Sequence, residues 1–124
     1  QRILRKICSH CKESMEPPEI MAVDIRNVLG PLLTPQKLVD GKIKLYRGKG
    51  CSECGESGFL GRVGIFEVLP VTDKIAKLIL TRADADTLQR LAVEEGMISM
   101  KQDGYLKAIE GITTLEEVLR VAQD

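Results

Sequence analysis

All four cysteines of the 124-residue chain fall in two Cys-x-x-Cys turns, Cys8-Ser9-His10-Cys11 and Cys51-Ser52-Glu53-Cys54, with 39 residues between them. Zinc takes four soft ligands at the corners of a tetrahedron, and one such turn supplies the two thiolates of an edge. Two turns complete the shell. Four thiolates leave no coordination position for water, so this pattern calls for a structural rather than a catalytic ion, with Cys8, Cys11, Cys51 and Cys54 as its ligands. A redox pair of the thioredoxin kind would need a β-α-β setting around a Cys-x-x-Cys, and the flanking sequence offers none. His10, the single histidine, is open to replacing one thiolate, but four cysteines already suffice, and it is expected exposed or behind the ligands.

Other chemistry is sparse. There is no Gly-x-x-x-x-Gly-Lys-Ser/Thr loop, no Gly-x-Gly-x-x-Gly after a strand, and no histidine set against a serine or cysteine nucleophile. Arg62, between Gly61 and Gly64, is either an exposed functional cation or a packing and ion-pair partner. Glu67 stands in an apolar run, where a carboxylate needs a partner, and a structural role outranks a catalytic one. Asp84, Asp86, Glu94 and Glu95 read as a solvated helix face, and Met97 and Met100 as core.

The elements that must position the cysteines follow from periodicity. Ile3, Leu4 and Ile7 have the spacing of a helix face, so residues 1–7 are expected to end a helix. Pro17 and Pro18 open a second helix that stops at Gly30-Pro31. Thr34-Pro35 starts a short helical turn, and Asp40-Gly41 makes a tight one. Residues 42–47 alternate charged and apolar side chains, as a half-exposed strand does. Residues 61–69 read as a second strand, buried on both faces and paired with residues 42–47 beside the metal. From Thr72 onward the pattern is helical, with caps at Thr72, Asp84, Ser99 and Thr114; Ser99-Gln102 and Thr114-Glu117 have the spacing of capping boxes. The expected fold class is α+β: a zinc-clamped subdomain with a small β-sheet over residues 1–66, then a compact bundle of short α-helices over residues 67–124.

Composition narrows the class of function. Charges balance at 18 basic and 18 acidic. They are unevenly spread, with 11 Lys/Arg against 7 Asp/Glu in residues 1–66 and the reverse in residues 67–124. Two Tyr, two Phe and no Trp argue against a protein that stacks bases. No long apolar run or signal-peptide pattern occurs, so a cytosolic setting is expected, where disulfides are rare and paired cysteines turn to metal. The chain opens on Gln1 without Met or a helix cap, and is expected to be a stretch of a longer polypeptide.

The run from Gln1 to Cys11, then Gly50-Cys51-Ser52-Glu53-Cys54 leading into Gly58-Phe59-Leu60-Gly61-Arg62-Val63-Gly64-Ile65-Phe66-Glu67, resembles the C-terminal region of the ATPases that drive type II secretion and type IV pilus assembly. Glu94-Glu95-Gly96-Met97, Lys101-Gln102-Asp103-Gly104 and Gly111-Ile112-Thr113-Thr114-Leu115-Glu116-Glu117-Val118 resemble that family's closing helices. The resemblance implies a hexameric cytoplasmic motor, peripheral at the inner membrane through its partners. Its ATP and Mg²⁺ would sit in a core upstream of residue 1, and the tetracysteine element would be a structural insertion. Retraction ATPases of the same superfamily lack that element, so an assembly or secretion motor is implied. Its partners would be the upstream core, neighbouring subunits and a membrane-embedded platform protein, the last docking on Lys42, Lys44, Arg47 and Lys49. No catalytic residue transfers to this stretch. The rival reading is a zinc ribbon that binds nucleic acid through its basic half; a DnaJ-like chaperone module would need more Cys-x-x-Cys repeats.

Overall fold

The computed structural model describes residues 1–122. Its elements run β1 (Arg2–Ile7), β2 (Lys12–Met15), α1 (Glu19–Leu29), β3 (Leu45–Gly48), β4 (Phe59–Ile65), α2 (Asp73–Leu80), α3 (Ala85–Glu94), α4 (Met100–Ile109) and α5 (Leu115–Val121), with short 3₁₀ turns at Gly30–Leu32, Pro35–Lys37 and Ser52–Cys54. The strands form two antiparallel ribbons, β1 with β4 and β2 with β3. The fold is α+β, as the patterning predicts.

The first seven residues are a strand, not the end of a helix. The ladder pairs Arg2 with Ile65, Leu4 with Val63 and Arg5 with Arg62, and then shifts register between Arg5 and Ile7. The extra residue lies in β4, which advances three positions from Arg62 to Phe59 while β1 advances two from Arg5 to Ile7. Leu4 and Ile7, three apart, are both buried on either side of this register shift, while Ile3 stays 58% exposed. A strand paired across its partner's bulge thus imitates the spacing of a helix face.

Pairing also departs from expectation. The strand after the second cysteine turn pairs with β1, and the strand before it pairs with β2, a segment without apolar alternation. β4 is not buried on both faces, since Ile65 alone among its residues is fully buried. Glu67 lies beyond its end and is exposed.

The described residues divide into two compact units, residues 1–66 with 100–122, and residues 67–99. Helices α4 and α5, grouped by sequence with the helices before them, therefore pack in the unit of the ribbons. The reason is one continuous apolar core: Leu4 and Ile65 from the β1–β4 ribbon, Ile25 and Leu29 from α1, Ile43 and Leu45, then Tyr105, Ala108 and Ile109 from α4 and Leu115 and Val118 from α5. Burying each large aliphatic side chain contributes about 1.5–3 kcal/mol. Polar contacts fix the register of α4 on α1: the Tyr105 hydroxyl donates to Asp24 Oδ2 at 2.6 Å, and the Gln102 amide donates to the Val28 carbonyl at 3.0 Å.

Within residues 67–99, Ile75 of α2 and Ala92 of α3 are buried. Both helices start where the sequence places their caps. Thr72 Oγ1 accepts from the Ile75 N–H at 3.3 Å, and Asp84 Oδ1 accepts from the Thr87 N–H at 2.8 Å. Hydrogen bonds from Thr87 hold the Asp84 carboxyl below its usual range. α5 is capped likewise, Thr114 Oγ1 accepting from the Glu117 N–H at 3.2 Å.

Candidate metal centre

The topology of the ribbons explains how two turns so far apart in sequence meet. Cys8 and Cys11 lie in the link from β1 to β2; Cys51 and Cys54 lie in the link from β3 to β4. Because β1 pairs with β4 and β2 with β3, both links cross between the ribbons at the same end. Residues 12–50 leave and return through β2 and β3, so their number has no bearing on the closure.

The four sulfurs all lie within 4.8 Å of one another. Cys8 Sγ is 3.8 Å from Cys51 Sγ, Cys11 Sγ is 3.9 Å from Cys54 Sγ, and Cys51 Sγ is 3.7 Å from Cys54 Sγ. A zinc–sulfur bond of about 2.3 Å sets a tetrahedral edge of about 3.8 Å, and a disulfide would need about 2.05 Å. All four are free thiols. Four cysteines at these spacings can hold one metal ion, and the donor set fits zinc.

Backbone groups hold the sulfurs in place. The Gly50 N–H donates to Cys11 Sγ at 3.3 Å, and Cys54 Sγ receives the N–H groups of Cys51 at 3.3 Å and Gly58 at 3.2 Å. The turns are also tied to each other: the Cys8 N–H donates to the Gly58 carbonyl at 2.9 Å, and the Lys49 N–H to the Cys11 carbonyl at 3.1 Å. Charge is distributed unequally. Burial pushes the Cys11 thiol up to about 12. Burial acts the same way on Cys54, but the N–H groups of Cys51 and Gly58 outweigh it and pull that thiol down to about 6. Thiolates are the ligand form, so loading a divalent ion here displaces protons.

His10 is exposed within the first turn. Arg62 is exposed on β4, directly across from Arg5. Two cations opposite each other repel. Arg5 is drawn instead to Glu117 Oε1, 2.6 Å from its guanidinium, and over the Phe59 ring at 4.1 Å. The basic residues of the β2–β3 region are less available than their sequence suggests. Lys42 and Lys44 lie 3.8 and 3.6 Å from Glu16, while Arg47 and Lys49 lie 2.6 and 3.8 Å from Glu13.

One part of the surroundings had no sequence signal. The turn after α4 docks on the flanks of the first cysteine turn: the Ile7 N–H donates to the Ile112 carbonyl at 2.9 Å and Lys12 Nζ to the Gly111 carbonyl at 3.1 Å. These contacts join residues about a hundred positions apart. No local motif announces them.

Comparison with known proteins supplies the family. A family described as "Type II/IV secretion system protein" matches residues 1–120. The chain is similar to the type IV pilus assembly ATPase PilB of Thermus thermophilus, 39% identical over 96% of this chain and 12% of that protein. It is likewise similar to PilB of Pseudomonas aeruginosa, 39% identical over the whole chain and 20% of that protein. The type II secretion system protein E of the same organism is 34% identical, again over the whole chain and 22% of the relative. The chain thus spans about a fifth of the length of such relatives, or less. With a family match that runs through both cysteine turns and the closing helices, the chain belongs to the type II/IV secretion system protein family.

Proposed function

We propose that this chain is the zinc-bearing C-terminal part of a hexameric ATPase that powers type II protein secretion or type IV pilus extension. The observation that carries this reading is the set of four sulfurs at tetrahedral-edge spacings, in a chain whose relatives are named as assembly ATPases and secretion proteins. Cys8, Cys11, Cys51 and Cys54 would hold the ion. Bound there, zinc supplies four metal–sulfur bonds that cross-link the ends of the two ribbons. ATP and Mg²⁺ belong to a nucleotide-binding core elsewhere in the parent protein, and this stretch contributes shape rather than catalysis. No described helix is long and apolar enough to cross a membrane; on this reading the motor works on the cytoplasmic side and reaches the inner membrane through its partners.

Those partners would be the nucleotide-binding core of the same polypeptide, neighbouring subunits of the hexamer, and an inner-membrane platform protein. The ion pairs to Glu13 and Glu16 weaken the case for Lys42, Lys44, Arg47 and Lys49 as a strongly basic docking face, and with it the nucleic-acid alternative.

The test is made in the full-length parent. Cys54→Ser is expected to lower pilus assembly or secretion at least tenfold, in line with the loss that follows disruption of a metal site, while nucleotide binding is retained. Unchanged assembly and secretion in a variant shown to have lost its zinc would count against a structural role for the ion, and a parent without ATPase activity would remove the motor reading.

A further inference from the structure

Beside the cysteines the two ribbons approach backbone on backbone at a pair of glycines. Gly48 closes β3 and Gly58 stands just before β4. A Cβ on Gly48 would overlap the Gly58 carbonyl oxygen and lie 2.6 Å from its Cα. A Cβ on Gly58 would lie 2.5 Å from the Gly48 carbonyl oxygen. Real Cβ contacts do not come so close, and backbone on both sides cannot swing away as a side-chain end would.

This contact sits among the groups that orient the ligands. Gly58 gives its N–H to Cys54 Sγ at 3.2 Å and takes the Cys8 N–H on its carbonyl at 2.9 Å, so it touches both cysteine turns. Gly48 pairs with Lys12 in the β2–β3 ladder and leads into Lys49 and Gly50, whose N–H groups bind Cys11 O and Cys11 Sγ. Moving the two glycines apart therefore moves Cys11 away from Cys8 and Cys54. Gly48 does not have a left-handed backbone, so its need for glycine comes from close approach alone. Gly58, at φ +82°, has both requirements.

We infer that Gly48 and Gly58 are positioning residues for the metal centre: a side-chain-free junction that brings the two ribbons near enough for four sulfurs to share one ion. This rests on the zinc reading above, and it adds two residues that touch no metal. Gly55 provides a matched comparison, since it lies in the same turn at φ +64° with nothing within 4 Å of its Cβ.

The experiment measures metal affinity of the whole chain by competition with a chromophoric chelator, and records the thiolate-to-cobalt spectrum. Gly48→Ala and Gly58→Ala are expected to weaken zinc binding about 10- to 100-fold and to distort the cobalt spectrum, as loss of groups that orient ligands does. Gly55→Ala, strained at positive φ but unobstructed, is expected to keep the parent chain's cobalt spectrum and to lose less zinc affinity than either Gly48→Ala or Gly58→Ala. Parent-like affinity and spectrum in both Gly48→Ala and Gly58→Ala would overturn the inference; failure of the unsubstituted chain to bind zinc would instead overturn the metal reading. A second measurement needs no substitution. Exchange of the Cys8, Gly50 and Gly58 amides is expected to be slow with zinc and to speed up first when the ion is removed, and equal exchange rates in the two states would reject the junction's role.

Discussion

Removing zinc from this chain is expected to loosen residues 1–66 and helices α4 and α5 together, while α2 and α3 keep their protection. The reach of the effect follows from what the cysteine turns touch. Cys8 is fully buried at the end of β1, and the residues around it, Arg5, Ile7 and Lys12, hold Thr113, Ile112 and Gly111 through hydrogen bonds of 2.8, 2.9 and 3.1 Å. Those three residues form the corner between α4 and α5. Releasing the ion frees both ribbon ends and, through them, that corner. The apolar core from Leu4 to Val118 remains, so the chain is expected to loosen locally rather than unfold outright, unlike a zinc finger that has no other core. By hydrogen exchange the amides of β1, β2, β3, β4 and residues 111–115 should lose protection by at least about 100-fold, equivalent to about 2.7 kcal/mol. Residues 67–99 form their own unit and should change little. Loosening confined to residues 1–66, with α4 and α5 unaffected, would show that the corner contacts do not carry the effect.

The second large effect is expected at Glu117. Its side chain is 3% exposed, and its carboxylate accepts the Arg5 backbone N–H at 3.0 Å, the Arg5 side chain at 3.1 and 2.6 Å, and the Arg120 side chain at 3.3 and 3.0 Å. The result is a lock between α5 and the outer edge of β1. Truncation by Glu117→Ala leaves the Arg5 N–H without its acceptor, opens space in the core and releases both guanidinium groups. Those groups are themselves more than half exposed and regain water, so the loss falls short of that for a fully buried ion pair; it is expected at about 2–4 kcal/mol, a fall in melting temperature of roughly 10 °C.

The same lock predicts an acid limb. Side-chain hydrogen bonds from Arg5, opposed by burial, hold the Glu117 carboxyl down at about 2 from its ordinary 4.5. A carboxyl depressed by folding stabilises the native state above its unfolded value and loses that contribution as pH falls through the folded one. Stability should therefore decline between about pH 4.5 and pH 2. Glu117→Gln, which cannot ionise, should be less stable at neutral pH and show a flatter profile over that interval. Equal stability of Glu117→Ala and the parent chain in thermal melts would refute the lock.

Much of the site could be read from residue types alone, because a Cys-x-x-Cys turn is a local object whose chemistry does not depend on the rest of the fold. Helix caps were legible for the same reason: Thr72, Asp84 and Thr114 each bind an N–H three residues on. What escaped was non-local. β1 reads as a helix because Leu4 and Ile7, three apart, are both buried where its ladder with β4 shifts register. β2 was missed because Lys12-Glu13-Ser14-Met15 has no apolar rhythm and becomes a strand by pairing with β3. Glu117 has the spacing of a capping-box residue, yet its carboxylate turns to Arg5, 112 positions away. The placement of α4 and α5 beside the ribbons likewise depends on Tyr105, Ala108 and Val118 finding a core that their own periodicity cannot name.

The central claim is that four thiolates of this chain hold one zinc ion. It is tested most directly by metal analysis with X-ray absorption at the zinc edge, on protein purified under reducing conditions without added metal. The expected result is one zinc per chain with four sulfur neighbours at about 2.3 Å. Zinc-free protein, or zinc with nitrogen or oxygen in place of any of the four sulfurs, would contradict it.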